Sequence, residues 1–333
     1  MRRLFTIILV LALLWSGYWA AGAVAIDRGL SFWLDERRAE GWLAEVAEVR
    51  TTGYPGTFIA EFAGVELADP GTGLAWSAPT FRVEAASAWP TRVTAIWPEI
   101  QSLSSPFERL TIEADRMEGT VEVEPSALAA LVASDIRMNG VEIRSTDGWS
   151  SRLTLGTLTT VQTETDALAH DILFEAVNVE PSEPLRAMID PARLMPPVID
   201  VLSIDATIGF DAPWDRHAIE RARPQPRKLD LGLMRATWGQ ADLRAAGDLT
   251  IDGNGVATGR ITVKAQNWRE MLALGQAAGL VPEAVAPTIE AALEVLAGLS
   301  GNPQTIDAPL SFQNGFVSFG PVPLGPAPRF VIR

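Results

Sequence analysis

Between Arg3 and Asp27 the chain carries no charge at all: residues 4–26 read LFTIILVLALLWSGYWAAGAVAI. A helix needs about 20 apolar residues to cross a hydrocarbon core of about 30 Å, and this run is long enough to do so. Arg2 and Arg3 precede it, and basic residues before a first apolar helix favour a cytoplasmic N-terminus and export of the chain beyond the helix. Two fates compete. As a cleaved signal, Leu4–Trp15 would be the apolar region and Ala23-Val24-Ala25 or Ala21-Gly22-Ala23 the small-residue cleavage site. As a signal-anchor, the run stays in the inner membrane, with Trp15, Tyr18 and Trp19 in the interfacial aromatic belt. Length favours the anchor. The expected layout is a signal-anchor or signal peptide over 1–26 and a periplasmic body over 27–333, soluble in the periplasm if cleavage occurs near Ala25. The rest of the chain has no second long apolar run, so the expectation is a single pass.

The whole chain carries a formal charge of −14, and Arg2 and Arg3 lie before the apolar run, leaving −16 for the rest. That balance excludes a nucleic-acid partner, which requires a basic footprint. It also disfavours electrostatic adhesion to anionic headgroups. There is no cysteine. Lipidation at cysteine, disulfides and thiolate metal sites are thereby excluded, and a body of this length needs no such staples.

Residues 27–46 read as a helix, with Leu30, Trp33, Leu34, Leu43 and Val46 near helical spacing and Asp35–Arg38 on the wet face. It would continue the membrane segment and stand the body off the bilayer. After the turn cluster Thr52-Gly53-Tyr54-Pro55-Gly56 the period shifts to two. Phe58/Ala60/Phe62, Val121/Val123, Leu153/Leu155, Leu202–Phe210, Leu231/Leu233, Leu243/Ala245, Leu249/Ile251 and Ile261–Ala265 all alternate apolar with polar. This is the pattern of antiparallel sheet with one face buried. Asp252-Gly253-Asn254-Gly255 and Asn314-Gly315 mark hairpins.

Helices interrupt the strands. Ser126–Ala133 is a short candidate, and Pro184–Val201 holds a proline-broken one. Asn267 can cap a helix over Trp268–Ala278 stopped by Gly279, and a second spans Pro282–Leu299 with Val285, Ile289, Ala292, Leu293 and Leu296 on one face. The tail from Gly320 to Pro328 is proline-rich and extended. A loose recurrence of strand pairs with a helical insertion points to two similar halves, about 27–196 and 197–333.

Chemistry-bearing constellations are sparse. His170 and His217 are the only histidines, 47 positions apart, and read as structural or surface residues. No H-E-x-x-H, G-x-S-x-G or Walker sequence occurs, and Gly253, Gly255 and Gly259 have the wrong spacing for a dinucleotide fingerprint. Asp205 and Asp211 share a strand face by parity, an arrangement a glycosidase dyad would need, but with no partner motif beside them they read as the solvated face of a sheet in an acidic protein. Asp252-Gly-Asn-Gly lacks the later glutamate of a calcium loop and reads as a turn. No catalytic, cofactor-binding or metal-binding residue is singled out, and no cofactor is expected. Eleven tryptophans, several beside prolines (Trp89-Pro90, Trp97-Pro98, Pro213-Trp214), fit core packing at strand ends or an aromatic-lined groove.

Gly41-Trp42, Thr52–Gly56 with Phe58, Leu67–Pro70, Gly73–Pro79 and Ile96-Trp97-Pro98 resemble the bacterial family catalogued as domain of unknown function 2125. So do Pro309–Phe312, Asn314-Gly315, Phe319-Gly320-Pro321 and Pro323-Leu324-Gly325 near the end. The resemblance implies an anchored or secreted protein of Gram-negative bacteria and carries over no catalytic residue. A looser similarity, through Asp242-Leu243, Gly247-Asp248-Leu249 and Gly259-Arg260-Ile261, is to AsmA-like envelope proteins, which implies a β-groove for acyl chains.

The expected fold is α+β and β-rich: a long curved antiparallel sheet with a few packed helices, behind an N-terminal membrane helix. The expected function is non-enzymatic binding of phospholipid or another apolar ligand in a sheet groove. The alternatives are a structural or interaction protein of the cell envelope and a carboxylate-dependent envelope hydrolase.

Overall fold

Period-two alternation becomes strand pairing along nearly the whole chain. The computed structural model describes residues 1–279, 281, 283, 286–299, 303–319 and 322–332. It is β-rich, every strand pairing is antiparallel, and the chain divides into two compact units. One comprises Met1–Val123 with Val141–Gly148, the other Glu124–Gly140 with Trp149–Arg333.

The first unit opens with a single helix, α1 (Arg2–Ala39), long and apolar enough to span a membrane or serve as a signal sequence. Glu40 caps it and Gly41, at φ +91°, turns the chain back; Trp42 N–H bonds to Arg37 O. Strands β1 (Leu43–Thr52), β2 (Thr57–Asp69) and β3 (Leu74–Ala86) then form a meander. At β3 the sheet forks. Residues 82–85 pair with β4 (Arg92–Ile96), whereas residues 75–77 pair with β5 (Ile100–Ser104). Strand β4 continues to β7 (Arg116–Val123), and β5 to β6 (Arg109–Glu113), which pairs with the end of β8 (Leu131–Ser145).

The expected helix over 27–46 is shorter than its apolar spacing implied. Leu43 and Val46 lie on β1, because the left-handed Gly41 ends the helix and the alternation of Ala44 and Val46 with Glu45 suits the sheet. Nor does α1 stand free as a stalk. Ser16, Trp19, Gly22, Ile26, Leu30 and Leu34 recur at three to four residues and are shielded, with Leu34 buried, so the helix lies along the strands from Trp15 onward. Residues 1–14 are exposed throughout.

Besides residues 131–140 of β8, the second unit is, among the described residues, a meander of nine strands: β9 (Ser150–Gln162), β10 (Ala169–Val179), β11 (Ile199–Phe210), β12 (Pro226–Trp238), β13 (Ala241–Ile251), β14 (Ala257–Gln266), β15 (Thr305–Gln313), β16 (Phe316–Phe319) and β17 (Val322–Pro326), each paired with the next. Short helices α2 (Glu183–Ile189) and α3 (Arg216–Glu220) sit in the connections flanking β11. Helices α4 (Trp268–Ala277) and α5 (Ala286–Leu299) form the excursion between β14 and β15. They fold back onto those strands: Trp268, 1% exposed, packs with Ile289, Leu293 and Ala297 against Ala265, Ile306 and Ala308. Leu249, Ile251, Ala257 and Ile261 make a second core cluster, joined by Leu229 and Phe330.

Several local expectations change. Ser126–Ala133 is not helical: Ser126 O accepts the Ala129 N–H in a tight turn, Ala129 takes φ +48°, and β8 begins at Leu131. The Leu243 and Leu249 runs are one strand, β13. Helix α2 stops at Ile189 because buried Asp190 captures the N–H groups of Leu194 and Met195 and bends the chain toward β11. Asn267 does precede α4, yet it sits at φ +57° and its amide donates to Gln240 O rather than capping. Pro282 and Val285 of the second expected helix, and Gly320-Pro321 of the tail, lie outside the described residues.

Candidate functional site

Strands β10, β11 and β12 bring their apolar positions to one face by register. His170 opposes Ile208, Ile172 opposes Ala206, Ile208 opposes Leu229 and Phe210 opposes Pro226. On β9, Thr160 opposes Ile172. Side chains paired this way stand together on one side of the pleat. They floor two adjoining cavities, of about 530 Å³ and 210 Å³, which share Ile172, Phe210 and Trp214. The larger lies within the range of about 300–1,000 Å³ common for small-molecule sites.

The walls come from connections. Trp214 stands edge-on to Phe210, ring centroids 5.4 Å apart, and its carbonyl accepts the Leu131 N–H that holds the start of β8 in place. The opposite wall is the segment 329–332. Phe330 N–H donates to Gly255 O, Ile332 N–H donates to Gln225 Oε1, and the Gln225 amide donates back to Ile332 O. Gly255, at φ +77°, makes this contact possible, since a Cβ there would meet Val331 Cγ2 at 2.6 Å.

Two features break the apolar lining. Arg329, exposed, is the only charged residue among the described ones bordering the larger cavity. His170 borders the smaller one and is 1% exposed. Its Nε2 lies 3.4 Å from Leu131 O, and its Nδ1 is buried without a partner. A buried polar atom left unpaired costs about 1–3 kcal/mol, so a ligand that supplies a partner is favoured. His170 is thus buried and structural, as its sequence context suggested, and it also faces the candidate site.

The remaining sequence candidates fall elsewhere. His217 is half-buried on α3, its ring 3.7 Å from Asp215, whose carboxylate caps that helix by accepting the His217 N–H. Asp205 lies on β11 and Asp211 just past its end; alternation carries through β11, since the extra residues at the two register shifts, Gly232 and Arg227, are on β12. Asp211 is occupied by the Gln225 N–H and by Arg227. Asp252 is a turn residue: the N–H groups of Val256 and Asn254 hold its carboxyl below the usual range, with Arg227 and Arg329 adding to them. Asp242 is partly buried, which raises its carboxyl, but hydrogen bonds from Arg244 and Arg235 outweigh this and leave it lowered. Among the described residues no group of three or more His, Asp or Glu side chains is placed to hold a metal ion.

The first unit carries a separate depression of about 530 Å³ over Phe62, Phe81 and Trp97. Four charged residues rim it, and they are engaged with acids or bases of their own sheet, as in Arg50–Glu48 at 2.7 Å and Arg82–Glu84 at 2.5 Å. It lacks the continuous apolar floor of the second unit. The role of Phe330-Val331-Ile332 went unseen in the sequence; the signal was an apolar triplet after a proline-rich stretch.

No curated protein and no solved structure matches the chain. A family model does match, over residues 19–328, which covers most of both units: the chain belongs to DUF2125, described as an uncharacterized protein conserved in bacteria.

Proposed function

We propose that this is a membrane-anchored envelope protein that performs no catalysis and holds an acyl chain or similar apolar ligand in the groove of its second unit. The observation carrying this reading is the run of inward side chains Ile172, Ile208, Phe210, Trp214, Leu229 and Phe330, which leaves two adjoining cavities with apolar floors on a sheet. His170 Nδ1 and Arg329 supply the few polar contacts that would orient such a ligand. The apolar helix α1 supports attachment to the inner membrane, with the body in the periplasm. The looser AsmA likeness points the same way.

The test uses the full chain in vesicles containing a photoreactive acyl phospholipid. Crosslinks should map to the peptides bearing Phe210–Trp214 and Phe330. Crosslinks confined to residues 1–26 would sink the groove reading while leaving the anchor.

A further inference from the structure

The side chains that dock α1 fix how deep the body can sit. Trp15 Nε1 donates to Pro55 O at 3.0 Å, Tyr18 OH to Ser87 O at 2.7 Å and Trp19 Nε1 to Thr57 O at 2.8 Å. Ser16 and Tyr54 share a hydroxyl contact at 2.8 Å, and Trp19 stacks on Phe58. Gly22 lies so close to Phe58 that a Cβ would sit 2.5 Å from its ring. The tip of the first unit, formed by the β1–β2 and β3–β4 connections, is therefore level with Trp15–Trp19.

Only residues 1–14 run free of the body. As helix they reach about 21 Å, short of a hydrocarbon core of about 30 Å. With Leu4 at the inner boundary, just past Arg2-Arg3, the outer boundary falls about 20 residues on, near Ala23. The carbonyls of Pro55, Thr57 and Ser87 then lie about 6–12 Å inside it, by the rise of about 1.5 Å per residue. A spanning α1 cannot leave the tip in water.

The tip is built for that depth. Residues 51–60 and 85–91 contain no charge. Trp89 is 66% exposed, and Tyr54, though it touches Ser16 and Trp19, keeps 54% of its surface exposed. The carbonyls of Gly53, Pro55, Gly56, Thr57, Ala86 and Ser87 all accept hydrogen bonds from within the unit, as backbone in hydrocarbon must. The helix face turned away from the strands stays apolar in step, with Gly17, Ala20, Ala21 and Val24 exposed. Charges resume together on the strands, at Arg50, Glu61, Glu84, Arg92 and, opposite Arg92, Glu122.

We propose that the Tyr54-Pro55 and Trp89-Pro90 turns are immersed in the outer leaflet beside α1, so that the first unit is sunk into the bilayer. This rests on α1 being a retained anchor. It adds a second membrane-contacting surface, carried by the β-body and held by aromatic and apolar contact.

The chain has no native cysteine, so single-cysteine probes read one site each. The full chain carrying an environment-sensitive fluorophore at Trp89→Cys, or at Ala88→Cys as a second variant, is placed in phosphatidylethanolamine–phosphatidylglycerol vesicles. Leu11→Cys reports the anchor, and Thr72→Cys, on the β2–β3 turn at the other end of the strands, reports water. Lipid-borne nitroxide should quench the probes at positions 88, 89 and 11, and aqueous iodide should quench the one at position 72. Quenching of positions 88 and 89 by iodide with position 11 still in lipid overturns the immersed tip and spares the anchor. Iodide quenching at position 11, or an intact mass lacking residues 1–25, overturns both.

Discussion

Gly259 and Gly247 face each other's strands at φ +149°, and neither has room for a side chain. A Cβ on Gly259 would lie 2.2 Å from Asp248 O, and one on Gly247 equally close to Arg260 O. Both obstacles are backbone in a paired ladder, so neither can yield cheaply. Gly259→Ala should cost about 3 kcal/mol, the upper end for a strained backbone position, read as a lower urea midpoint with an unchanged slope. Gly259 fitted no phosphate-binding spacing in the sequence, and the reason for it lies on the other strand, eleven residues back at Asp248. His170 offers a cleaner separation of stability from binding. His170→Leu removes a buried nitrogen that has no protein partner together with the long Nε2–Leu131 O contact, two opposed effects that should leave stability within about 1 kcal/mol. Crosslinking of the photoreactive lipid should fall in the same variant. A protein that unfolds on this change would place His170 in the core alone.

Elements were legible where the period was long and failed where two periods overlapped. Leu30 to Val46 can be written as one helix, and only the left-handed Gly41 divides α1 from β1. The hairpins at 252–255 and 314–315 could be read directly because their turn residues need positive φ, which Gly255, Asn314 and Gly315 adopt. The groove was legible only as alternation. Its walls come from Trp214 and from residues 329–332, brought in by Leu131 and Gln225 across distances that no local pattern encodes. At the start of the β12–β13 hairpin, Asp242 is held by Arg235 and Arg244. Its carboxyl is lowered in the folded state, so its contribution is full above the unfolded value of about 3.9 and is lost as pH falls through the folded one. Asp242→Asn should therefore flatten part of the acid limb of a stability–pH profile and leave the neutral limb parallel. The α4–α5 excursion hangs on Trp268. Trp268→Ala should cost about 3–5 kcal/mol, with loss of helical signal before sheet signal on heating.

For the whole molecule, charge and anchorage pull in different directions. The chain beyond Arg3 carries −16 and should be repelled by anionic lipid, so the proposed attachment would have to be apolar. Flotation of the full chain with vesicles should persist at about 1 M salt, where screening acts beyond only about 3 Å, and should not require phosphatidylglycerol. Release by salt would mean that surface charge, rather than α1, holds the protein down.

The docking of α1 also bears on its maturation. A signal peptidase reads the residues before its cut as an extended strand, whereas Ala23-Val24-Ala25 sits in the middle of a helix whose neighbours Gly22 and Ile26 are pressed toward the strands. Once the first unit has folded, that site is closed. Under the export proposed above, processing and folding would race, and whichever finished first would decide whether the chain is tethered or released. A chain cut near Ala25 would present the carbonyls of Pro55, Thr57 and Ser87 without their tryptophan and tyrosine donors.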